Sequence, residues 1–491
     1  MKSSSGISSP LPDANQLYHA YVFDQEPVTH QFWGPIPRTA SEAVQFSQAL
    51  IQQYSKGQTP LFSEERMEKL LHAITDLHST RGMMNGQIKE QLNKLSNNPA
   101  VVEAGHQPAL LGGPGFVINK MAAISRLASF QGAVPIMFVG DHDHEQKELT
   151  VVHLPSPGQH GLTFSLQVPR AYRNSPLHII PLPPKKWLEQ VCTRIQTTYH
   201  ELVASQPKKD REVYAQNVEL ILKLIRQTFT QASNLADWTL RLWMRITNLG
   251  RDSDILFQAF SQPTIRTLML PAFEYLLAQS NRHRFINAIN QAAQQLSSLG
   301  YQPGIGHRPD AFVPFLLECP TKGCQRTRLE PTLEEQATTS SLHLVATCPK
   351  CNEAHKLEVS DTHPDLSPWQ DYLSPRVDTR AFLVQTFTPV ILHVGGAGET
   401  SYQAQVSPAL AALECVVPTF FRYTRLFYGN PWTRRLAQRL QKENLQPLLP
   451  VKLWTYQSAI ETNGREKNAG DVRSLFAACS EYIRDTYQQL V

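Results

Sequence analysis

Apolar side chains recur every three or four residues between Ser41 and Asn97, and this spacing predicts amphipathic helices. Two runs carry the pattern, and the pair Gly82 and Gly86 interrupts the second. The apolar positions are Ala43, Phe46, Leu50, Ile51 and Tyr54 in the first run, and Met67, Leu70, Leu71, Ile74 and Leu77 in the second. Residues 1–40 combine Ser and Pro with five aromatic side chains, which is typical of an ordered arm packed on a domain.

Between residues 99 and 170 the pattern changes to an alternation of strands and helices. We predict a strand near 100–104, a helix over about 115–130 and a strand over 134–139. A strand–helix–strand of this length forms a right-handed parallel unit. The chain is therefore expected to be an α/β protein built on a parallel sheet.

The pattern is helical from 185 to 250, and again from the end of a short strand at 255–257 to about Leu299. The apolar stripe of the first stretch is Trp187, Val191, Ile195, Leu220, Leu222 and Ile225. The later elements are predicted as strands at 382–384 and 390–394, a helix after Ser401 and a strand at 416–420. The tail from Tyr456 has the pattern of a polar amphipathic helix, which is more typical of packing or dimerisation than of a membrane.

At 491 residues the chain is too long for one ordinary core. We predict five parts: an arm with helices over 1–98, an α/β core with helical connections over 99–317, a cysteine-rich insert over 318–358, a continuation of the core over 359–452 and a helical tail over 453–491. The boundaries follow the changes of pattern described above.

Composition indicates a soluble globular protein, since 41% of residues are hydrophobic and 18% are charged. The formal charge of +4 is small for this length and gives no reason to expect nucleic acid as a partner. The first residues lack the apolar stretch of a signal peptide, and no apolar run is long enough to span a membrane. We therefore expect a cytoplasmic protein without a membrane partner.

Four of the seven cysteines form two short pairs, Cys319-x4-Cys324 and Cys348-x2-Cys351, around a polar, strand-poor stretch. This spacing matches a tetrahedral four-cysteine zinc ribbon. Disulfide bonds are the alternative, which a cytoplasmic setting disfavours. Four thiolates leave no open coordination position, so the expected zinc is structural. The scattered cysteines are Cys192, Cys415 and Cys479, and we interpret them as reduced, mostly buried thiols.

Two glycine-rich turns each follow a β-branched apolar run and lead into a helical segment. The first covers 105–115 and includes Gly105, Gly112 and Gly113, and the second covers 395–399, Gly-Gly-Ala-Gly-Glu. A strand, a glycine turn and a helix start expose backbone N–H groups at the positive end of a helix dipole, which suits a phosphate or carboxylate. Two such turns favour an anion-handling enzyme over a scaffold.

Polar side chains accompany the first turn. Lys120 lies about one turn into the helix that the turn opens, from where its ammonium can reach an anion. The motif is not a P-loop, because Gly-Lys-[Ser/Thr] is missing. His106 and Gln107 stand at the carboxyl end of the strand, where ligands bind in open α/β sheets. A binding site is the functional interpretation, and an ordinary tight turn is the alternative.

The second strand ends in residues 141–145, Asp-His-Asp-His-Glu. Such a cluster could bind Mg²⁺, hold a substrate amine or act as general acid and base, with Asp141, His142 and Asp143 as candidates. Alternating Asp and His also suit a transition metal. The structural alternative is a solvated loop whose first Asp caps the next segment.

The second turn continues as a predicted helix on which Glu399, Tyr402 and Gln405 fall near one face. With the turn itself (residues 395–396), this face offers a carboxylate and two neutral hydrogen-bonding groups to a polar substrate, unless it is a capped surface helix. Arg380, placed before the preceding strand, is a candidate for bidentate pairing with a substrate carboxylate. A surface salt bridge is the alternative for Arg380.

Together these motifs resemble those of the BshC family, the cysteine-adding ligases of bacillithiol biosynthesis. The first turn and its helix are similar to the family's glycine-Gln-Gln turn, residues 141–143 to its Asp-His-Asp, and the second turn to its Gly-Gly-Pro-Gly-Glu segment. The similar positions are residues 105–110, Gly113, Pro114, Lys120, residues 141–143, Arg380, Pro389, Gly395, Gly396, Gly398, Glu399, Tyr402, Ala404 and Gln405. The resemblance spans most of residues 10–430.

The resemblance implies a Rossmann-like, nucleotidyltransferase-type core with connecting segments and a C-terminal helical coiled coil used for a homodimer. It also implies that the carboxylate of cysteine is joined to the amine of glucosaminyl-malate. The chain departs from the family pattern at three positions, where His106 replaces Gln, His144 replaces Phe and Ala397 replaces Pro. It also differs in having the cysteine insert, and its tail is too short for the family's full coiled coil. These departures leave open which amine is the substrate and whether the protein forms the family's dimer.

Amide formation from a free carboxylate needs activation, so we expect ATP as a substrate, with Mg²⁺. Gly105, Gln107, Gly112, Gly113 and Lys120 are expected to hold the nucleotide phosphates. Asp141 or Asp143 would position the attacking amine or take its proton, with His142 and His106 as further catalytic candidates. Glu399, Tyr402, Gln405 and Arg380, with Gly395 and Gly396, would hold the other substrates.

Two alternatives remain at this stage. One is a ligase of the same fold for a different amine or thiol conjugate. The other is a non-catalytic zinc-ribbon protein that binds protein or RNA.

Overall fold

The computed structural model describes residues 17–18, 20–21, 30–156, 161–249, 252–335, 342–423 and 474. The predicted tail over 453–491 lies outside these residues except for Ser474. In chain order the helices are α1 His30–Trp33, α2 Ala40–Ser55, α3 Glu64–Thr80, α4 Gly86–Asn97, α5 Gly115–Gln131, α6 Lys147–Thr150, α7 Lys185–Ala204, α8 Lys208–Gln231, α9 Leu235–Thr247, α10 Pro263–Leu277, α11 Gln279–Ser298, α12 Arg380–Gln385 and α13 Ala397–Ala412. The strands are β1 Val101–His106, β2 Val134–Val139, β3 Val151–Leu154, β4 Leu162–Ser165, β5 Leu256–Ala259, β6 Phe315–Glu318, β7 Arg328–Leu329, β8 Thr332–Glu335, β9 Leu342–Thr347, β10 Ala354–Val359, β11 Leu373–Pro375, β12 Val390–Gly395 and β13 Thr419–Arg422.

Five parallel strands form the central sheet in the order β13-β12-β1-β2-β5. The chain runs outward from β1 through β2 to β5, then returns to place β12 against the free edge of β1 and adds β13 outside it. This is the doubly wound order of a Rossmann fold, with its topological switch point between β1 and β12.

Helices cover both faces of the sheet, because successive side chains of each strand point to opposite sides. On β2, Ile136 and Phe138 join one buried cluster with residues of α3, α4, α10 and α11. Met137 and Val139 join the cluster on the other face, with residues of α5 and α9. The expected α/β core on a parallel sheet is confirmed.

The helices of residues 40–97 begin where polar side chains cap them. Thr39, Ser63 and Asn85 each accept a hydrogen bond from the backbone N–H three residues later. The predicted interruption near Gly82 and Gly86 is real, since α3 ends at Thr80 and α4 begins at Gly86.

Two details of the predicted pattern are wrong. Residues 382–384 are not a strand but the middle of the short helix α12, and Arg380 is the first residue of that helix. A short apolar run buried on all sides has no periodicity to separate helix from strand. Leu220 of the predicted apolar stripe is 39% exposed on α8, whereas Leu222 and Ile225 are buried.

The insert contains more sheet than its composition indicates. Strands β8, β9 and β10 form a small antiparallel sheet, and β7 pairs with β6, which also pairs with β11. Its strands are two to six residues long, too short for a strand signal in a polar sequence.

The described residues of the N-terminal arm pack against helix α13 and against strand β13 at the edge of the sheet. The Tyr21 hydroxyl donates to the Phe420 carbonyl at 2.9 Å, and the Trp33 indole donates to the Thr400 carbonyl at 3.1 Å. Within the described part of the chain, no helix is both long enough and apolar enough to cross a membrane.

Candidate functional site

A cleft opens beyond the carboxyl ends of β1, β2 and β12. Its lining comes from these strand ends and from the first turns of α5, α12 and α13, and its volume is about 860 Å³. In open α/β sheets ligands bind outside the carboxyl ends of the strands, at the switch point. The position of the cleft in the topology therefore marks it as the candidate binding site.

The first glycine-rich segment brings the start of α5 to the cleft. Its N-cap, Pro114, supplies no side-chain cap, and Gly115 and Phe116 of its first turn line the cleft. A helix N-terminus without a capping side chain favours an anion. His106 and Gln107 line the same side, and burial together with the Lys120 ammonium lowers the pKa of His106, which keeps its imidazole neutral.

Gly105 lies in β1 rather than in the turn. A Cβ at this position would lie 1.9 Å from the ring of Phe138, its register partner on β2. Because no side chain fits there, the aromatic ring on the neighbouring strand requires a glycine at residue 105. The Gly105 carbonyl faces α5 and accepts a hydrogen bond from Lys120 Nζ at 3.0 Å.

Lys120 forms a buried ion pair across the cleft floor. Its Nζ lies 2.5 Å from Glu399 Oε2, and that oxygen also accepts the Gly396 N–H at 2.6 Å. Burial by itself would raise the pKa of Glu399, but Lys120 and His393 outweigh it and hold the pKa far below its usual range. Glu399 is thus an anion that caps its own helix, α13.

Two polar side chains lie behind Glu399, inside otherwise apolar strands. His393 of β12 and Glu103 of β1 are register partners, with His393 Nδ1 3.1 Å from Glu103 Oε2. His393 Nε2 is 3.6 Å from Glu399 Oε1. Burial opposes the charged imidazole, but the two carboxylates prevail and raise the pKa of His393. The result is a row of alternating charges from Glu103 to Lys120.

The cluster after β2 divides between the cleft and the interior. Asp143 lines the cleft, where the Gln107 amide donates to its Oδ2. Its Oδ1 accepts the N–H groups of His144 at 2.6 Å and Glu145 at 3.0 Å. Although burial favours the neutral form, the hydrogen bonds from Gln107 and from these two N–H groups lower the pKa of Asp143.

The other members of this cluster point away from the cleft. Asp141 accepts hydrogen bonds from the Ser261 N–H at 2.9 Å and from the Ser261 hydroxyl. The His142 ring packs against Phe260 with ring centres 4.7 Å apart, and burial lowers the pKa of His142 to about 3. Burial also lowers the pKa of His144 to about 4. The predicted cluster is therefore not a single cleft-lining site.

On the opposite wall, Arg380 and Tyr402 form a cationic corner. The Arg380 guanidinium donates to the Tyr402 hydroxyl at 2.9 Å and lies 4.7 Å from the centre of the Phe138 ring. Burial raises the pKa of Tyr402 to about 12, so its hydroxyl stays protonated. The corner offers a positive charge and a hydroxyl to an anionic group.

Besides Asp141 and His142, four predicted site residues are not in the cleft lining. The Gly112 carbonyl accepts the Trp243 indole N–H at 2.8 Å, and Gly113 packs against Ala109. Gly395 packs against the Phe420 ring. Gln405 is fully buried, where it accepts the Ile305 N–H at 2.7 Å and donates to the Ile305 carbonyl at 3.0 Å. The i, i+3, i+6 spacing takes Gln405 down the helix into the core.

The sequence interpretation missed several residues of the site, among them Glu103, His393, Phe116, Phe138 and Tyr423. Glu103 and His393 each interrupt a run of apolar residues in a buried strand, which is the one signal that could have marked them. Nothing local shows that the two are paired, because their register joins strands about 290 residues apart.

The four cysteines of the insert come together at a separate site. The sulfur atoms of Cys319, Cys324, Cys348 and Cys351 all lie within 4.8 Å of one another. Sulfur separations are 3.7 Å for Cys319–Cys351 and 3.4 Å for Cys324–Cys348. All four are free thiols, so the geometry is that of a metal site rather than of two disulfides.

Residues 7–422 match the family model "Bacillithiol biosynthesis BshC, N-terminal Rossmann-like domain". Proteins named "Putative cysteine ligase BshC" are similar to this chain. The one from Geobacillus kaustophilus is 24% identical over 417 residues, which is 83% of this chain and 68% of the relative. The one from Lysinibacillus sphaericus is 22% identical, over 80% of this chain and 67% of the relative. The one from Desulforamulus reducens is 24% identical, over 79% of this chain and 65% of the relative.

Proposed function

The chain belongs to the BshC family, and from this premise we propose that it is an ATP-dependent ligase that joins the carboxylate of cysteine to the amine of glucosaminyl-malate. The observation that carries the proposal is the cleft at the switch point. It combines an uncapped helix N-terminus, a carboxylate and a guanidinium within one volume of about 860 Å³. That volume is in the range of small-molecule and cofactor sites, roughly 300–1,000 Å³.

The nucleotide phosphates are assigned to the N-terminus of α5. The N–H groups of its first turn meet no capping side chain, whereas Glu399 already caps the N-terminus of α13. Of the two glycine-rich turns, the first is therefore the better site for an anion, because the Glu399 carboxylate repels a second anion at the start of α13. Lys120 would assist, with the phosphates competing with Glu399 for its ammonium.

Asp143 is assigned to the amine. Its carboxylate faces the cleft, held by Gln107 and by two backbone N–H groups. A carboxyl group with a lowered pKa is a weak base at neutral pH. Asp143 is therefore suited to orient the amine and stabilise its positive charge, rather than to keep the proton.

Arg380 and Tyr402 are assigned to a carboxylate, either that of cysteine or those of the malate part. A guanidinium already fixed by a hydroxyl and an aromatic ring loses little freedom when it binds a carboxylate.

In the proposed reaction, a cysteine carboxylate oxygen attacks phosphorus of ATP, releasing either ADP or pyrophosphate. The amine nitrogen then attacks the acyl carbon, and phosphate or AMP leaves with formation of the amide and loss of one proton from nitrogen.

Mg²⁺ fits the cleft only as a companion of the nucleotide. Both oxygens of Asp143 have hydrogen-bond partners, and Glu399 is paired with Lys120. Mg²⁺ in nucleotide sites is held by phosphates, water and one or two carboxylates. Asp143 is the residue that would contribute such a ligand.

We propose that the cysteine cluster holds Zn²⁺ in a structural role. With Zn–S bonds of about 2.3 Å, tetrahedral geometry places sulfur atoms roughly 3.8 Å apart, close to the separations of 3.4 and 3.7 Å seen here. Four protein thiolates would leave no position for a substrate. Elemental analysis of the purified protein should give one zinc per chain, and the loss of zinc in a Cys348→Ser variant.

The activity is tested by incubating the protein with ATP, cysteine and glucosaminyl-malate and detecting the amide by mass spectrometry. We expect amide formation that depends on all three substrates. Asp143→Asn should reduce kcat at least a hundredfold, in the range of lost electrostatic or acid–base contributions of about 10²–10⁴. Asp76→Asn, an exposed change on α3, is the control. Wild-type turnover in Asp143→Asn would contradict the assignment.

A second candidate is a ligase of the same fold for a different amine. His106 and Ala397, two positions at which the sequence departs from the family pattern, both line the cleft. The two candidate functions are distinguished by offering glucosaminyl-malate and other amino-sugar conjugates together in the same assay. Preference for an amine other than glucosaminyl-malate would favour this candidate.

A further inference from the structure

We propose that the four-cysteine cluster positions the cleft carboxylate of Asp143, acting through the segment of residues 170–178. Only the activity readout of this proposal rests on the proposed function. The link itself consists of hydrogen bonds between three parts of the chain: the knuckle of residues 324–328, the segment of residues 170–178 and the loop of residues 141–146.

The knuckle has a strained backbone that its surroundings hold in place. Gln325 and Arg326 have φ values of 58° and 51°, a region that costs about 1–2 kcal/mol per residue with a side chain. The Cys324 N–H donates to the Thr321 carbonyl at 3.0 Å, and the Cys319 N–H to the Thr327 carbonyl at 2.9 Å. Cysteines bound to one metal would fix both ends of this turn.

The knuckle contacts the segment directly. The Ser175 hydroxyl donates to the carbonyl of Gln325 at 2.5 Å, and the Arg328 N–H donates to the carbonyl of Asn174 at 2.8 Å. Lys350, between Cys348 and Cys351, donates to the Ala171 carbonyl at 2.5 Å and to the Cys324 carbonyl at 2.8 Å. Both cysteine pairs of the cluster therefore reach the segment.

The segment in turn holds the loop that carries Asp143. The Leu177 N–H donates to the Asp143 carbonyl at 2.8 Å, and the His178 N–H donates to the Asp141 carbonyl at 2.9 Å. Gln146, the last residue of the loop of residues 141–146, donates from its side-chain amide to the Tyr172 carbonyl at 2.8 Å. The backbone of Asp143 is thus fixed from the side of the cysteines, while its carboxylate faces the cleft.

This arrangement gives the insert a role beyond stability. A binding group must be held within about half an ångström of its productive position by the residues behind it. The side chain of Asp143 is held by Gln107, and its backbone is held by the segment. The segment of residues 170–178 therefore positions Asp143 in the cleft, and the metal site supports the segment.

Hydrogen exchange tests the link without a substrate. Lys350→Ala and Ser175→Ala remove contacts between knuckle and segment but change no cysteine. Lys356→Ala, an exposed lysine on β10, is the matched control. We expect exchange of the Leu177 and His178 amides to rise about tenfold in Lys350→Ala, which loses charge-assisted hydrogen bonds, and about fivefold in Ser175→Ala, which loses a neutral one. It should not change in Lys356→Ala, and all three variants should keep their zinc.

Chelation of the metal from the wild-type protein should raise exchange at the same two amides. Unchanged exchange at Leu177 and His178 after metal loss and in both variants would overturn the proposal. Activity is then a separate readout, with kcat expected to fall in Lys350→Ala and Ser175→Ala. If exchange rises but the wild-type protein forms no amide with any amine, the proposed function fails while the structural link stands.

Discussion

Asp141 and Asp143 are two positions apart on one loop, yet their carboxylates have different surroundings. Asp143 faces the cleft with Gln107, whereas Asp141 is buried against Ser261. Burial raises the pKa of Asp141, whereas the pKa of Asp143 is lowered. The sequence motif makes both residues candidates for contact with the substrate, but the structure supports that role only for Asp143.

Asp141→Asn should therefore act on stability rather than on catalysis. The amide cannot accept both Ser261 hydrogen bonds as the carboxylate does, which should cost about 1–3 kcal/mol in the free energy of unfolding. Urea denaturation measures this loss, and turnover per folded molecule should stay close to that of the wild type. Normal stability combined with lost turnover would contradict this division of roles.

His393 makes stability depend on pH at neutral and alkaline values. Its pKa is raised in the folded state by Glu103 and Glu399, so folding binds a proton there. This contribution is complete below the unfolded pKa of about 6.5 and is lost as pH rises through the folded pKa. We expect the urea midpoint of the wild type to fall over this range, and that of His393→Gln to fall less.

The opposite sign applies to the buried histidines with lowered pKa values. His142, with a pKa of about 3, and His78, with a pKa of about 4, are neutral when folded and gain a proton on unfolding in mild acid. Their contribution is lost as pH falls from about 6.5 toward 4. His393→Gln should leave the decline between about pH 6 and 5 unchanged, and a change in that interval would contradict the assignment of the alkaline limb to His393. At lower pH the variant should also differ through Glu399, whose pKa His393 helps to lower.

At the scale of elements, close packing of β1 on β2 depends on Gly105. Gly105→Ala would place a methyl group inside the Phe138 ring, and overpacking of this kind costs about 1–3 kcal/mol or more. Gly86→Ala, on the exposed first turn of α4 where nothing lies within 4 Å, should be neutral or slightly stabilising. Thermal unfolding compares the two variants.

A smaller side chain at Phe138 should relieve the strain. Gly105→Ala combined with Phe138→Leu is expected to be more stable than the sum of the separate losses, since the two residues are in contact. Simple additivity in the double variant would show that the ring is not the obstacle.

Elements with a long apolar or periodic signal could be predicted from the sequence, and short buried ones could not. The strand predicted at 134–139 coincides with β2, and helix α5 differs from its prediction by about one residue. Residues 382–384 form a helix because the surrounding core, rather than local preference, decides a short run. The same limit applies to the two-residue strand β7.

The candidate site was predictable in its loops but not in its pairings. The sequence placed His106 and Asp143 at strand ends, and Lys120 and Glu399 in the helices that follow the glycine turns. The cleft brings the four residues together. The sequence did not show that Glu399 neutralises Lys120, or that Glu103 and His393 lie behind them. Those contacts depend on sheet register between distant parts of the chain, which no local pattern carries.

At the scale of the whole molecule, Glu318 joins the cysteine insert to the core. This fully buried carboxylate lies 2.7 Å from Arg266 of α10 and 2.5 Å from Arg326 of the knuckle, and it accepts the Ser374 hydroxyl at 2.7 Å. Burial would raise the pKa of Glu318, but the nearby cationic side chains lower it to about 2. The carboxylate is therefore charged under all ordinary conditions.

Glu318→Ala should destabilise the protein by about 3–5 kcal/mol, because it leaves the buried Arg266 without its partner. Glu330 is itself 58% exposed, and Glu330→Ala breaks only its pairs with Arg328 and Arg376, which should cost at most about 1 kcal/mol. Denaturant unfolding measures both changes. A loss in Glu318→Ala no larger than that in Glu330→Ala would show that the junction is not a stabilising element.

The order of strands in the sheet has a consequence for how the chain is made. β1 lies at the middle of the sheet, but β12, which covers one of its edges, follows roughly 280 residues later. At about 5–20 residues per second, a ribosome needs roughly 15 s to 1 min to synthesise that interval. During this time the nascent chain exposes an unpaired edge of apolar residues, which is a template for aggregation. Chains released before Val390 should therefore be recovered with chaperones or in aggregates, and chains that include β12 and β13 should not.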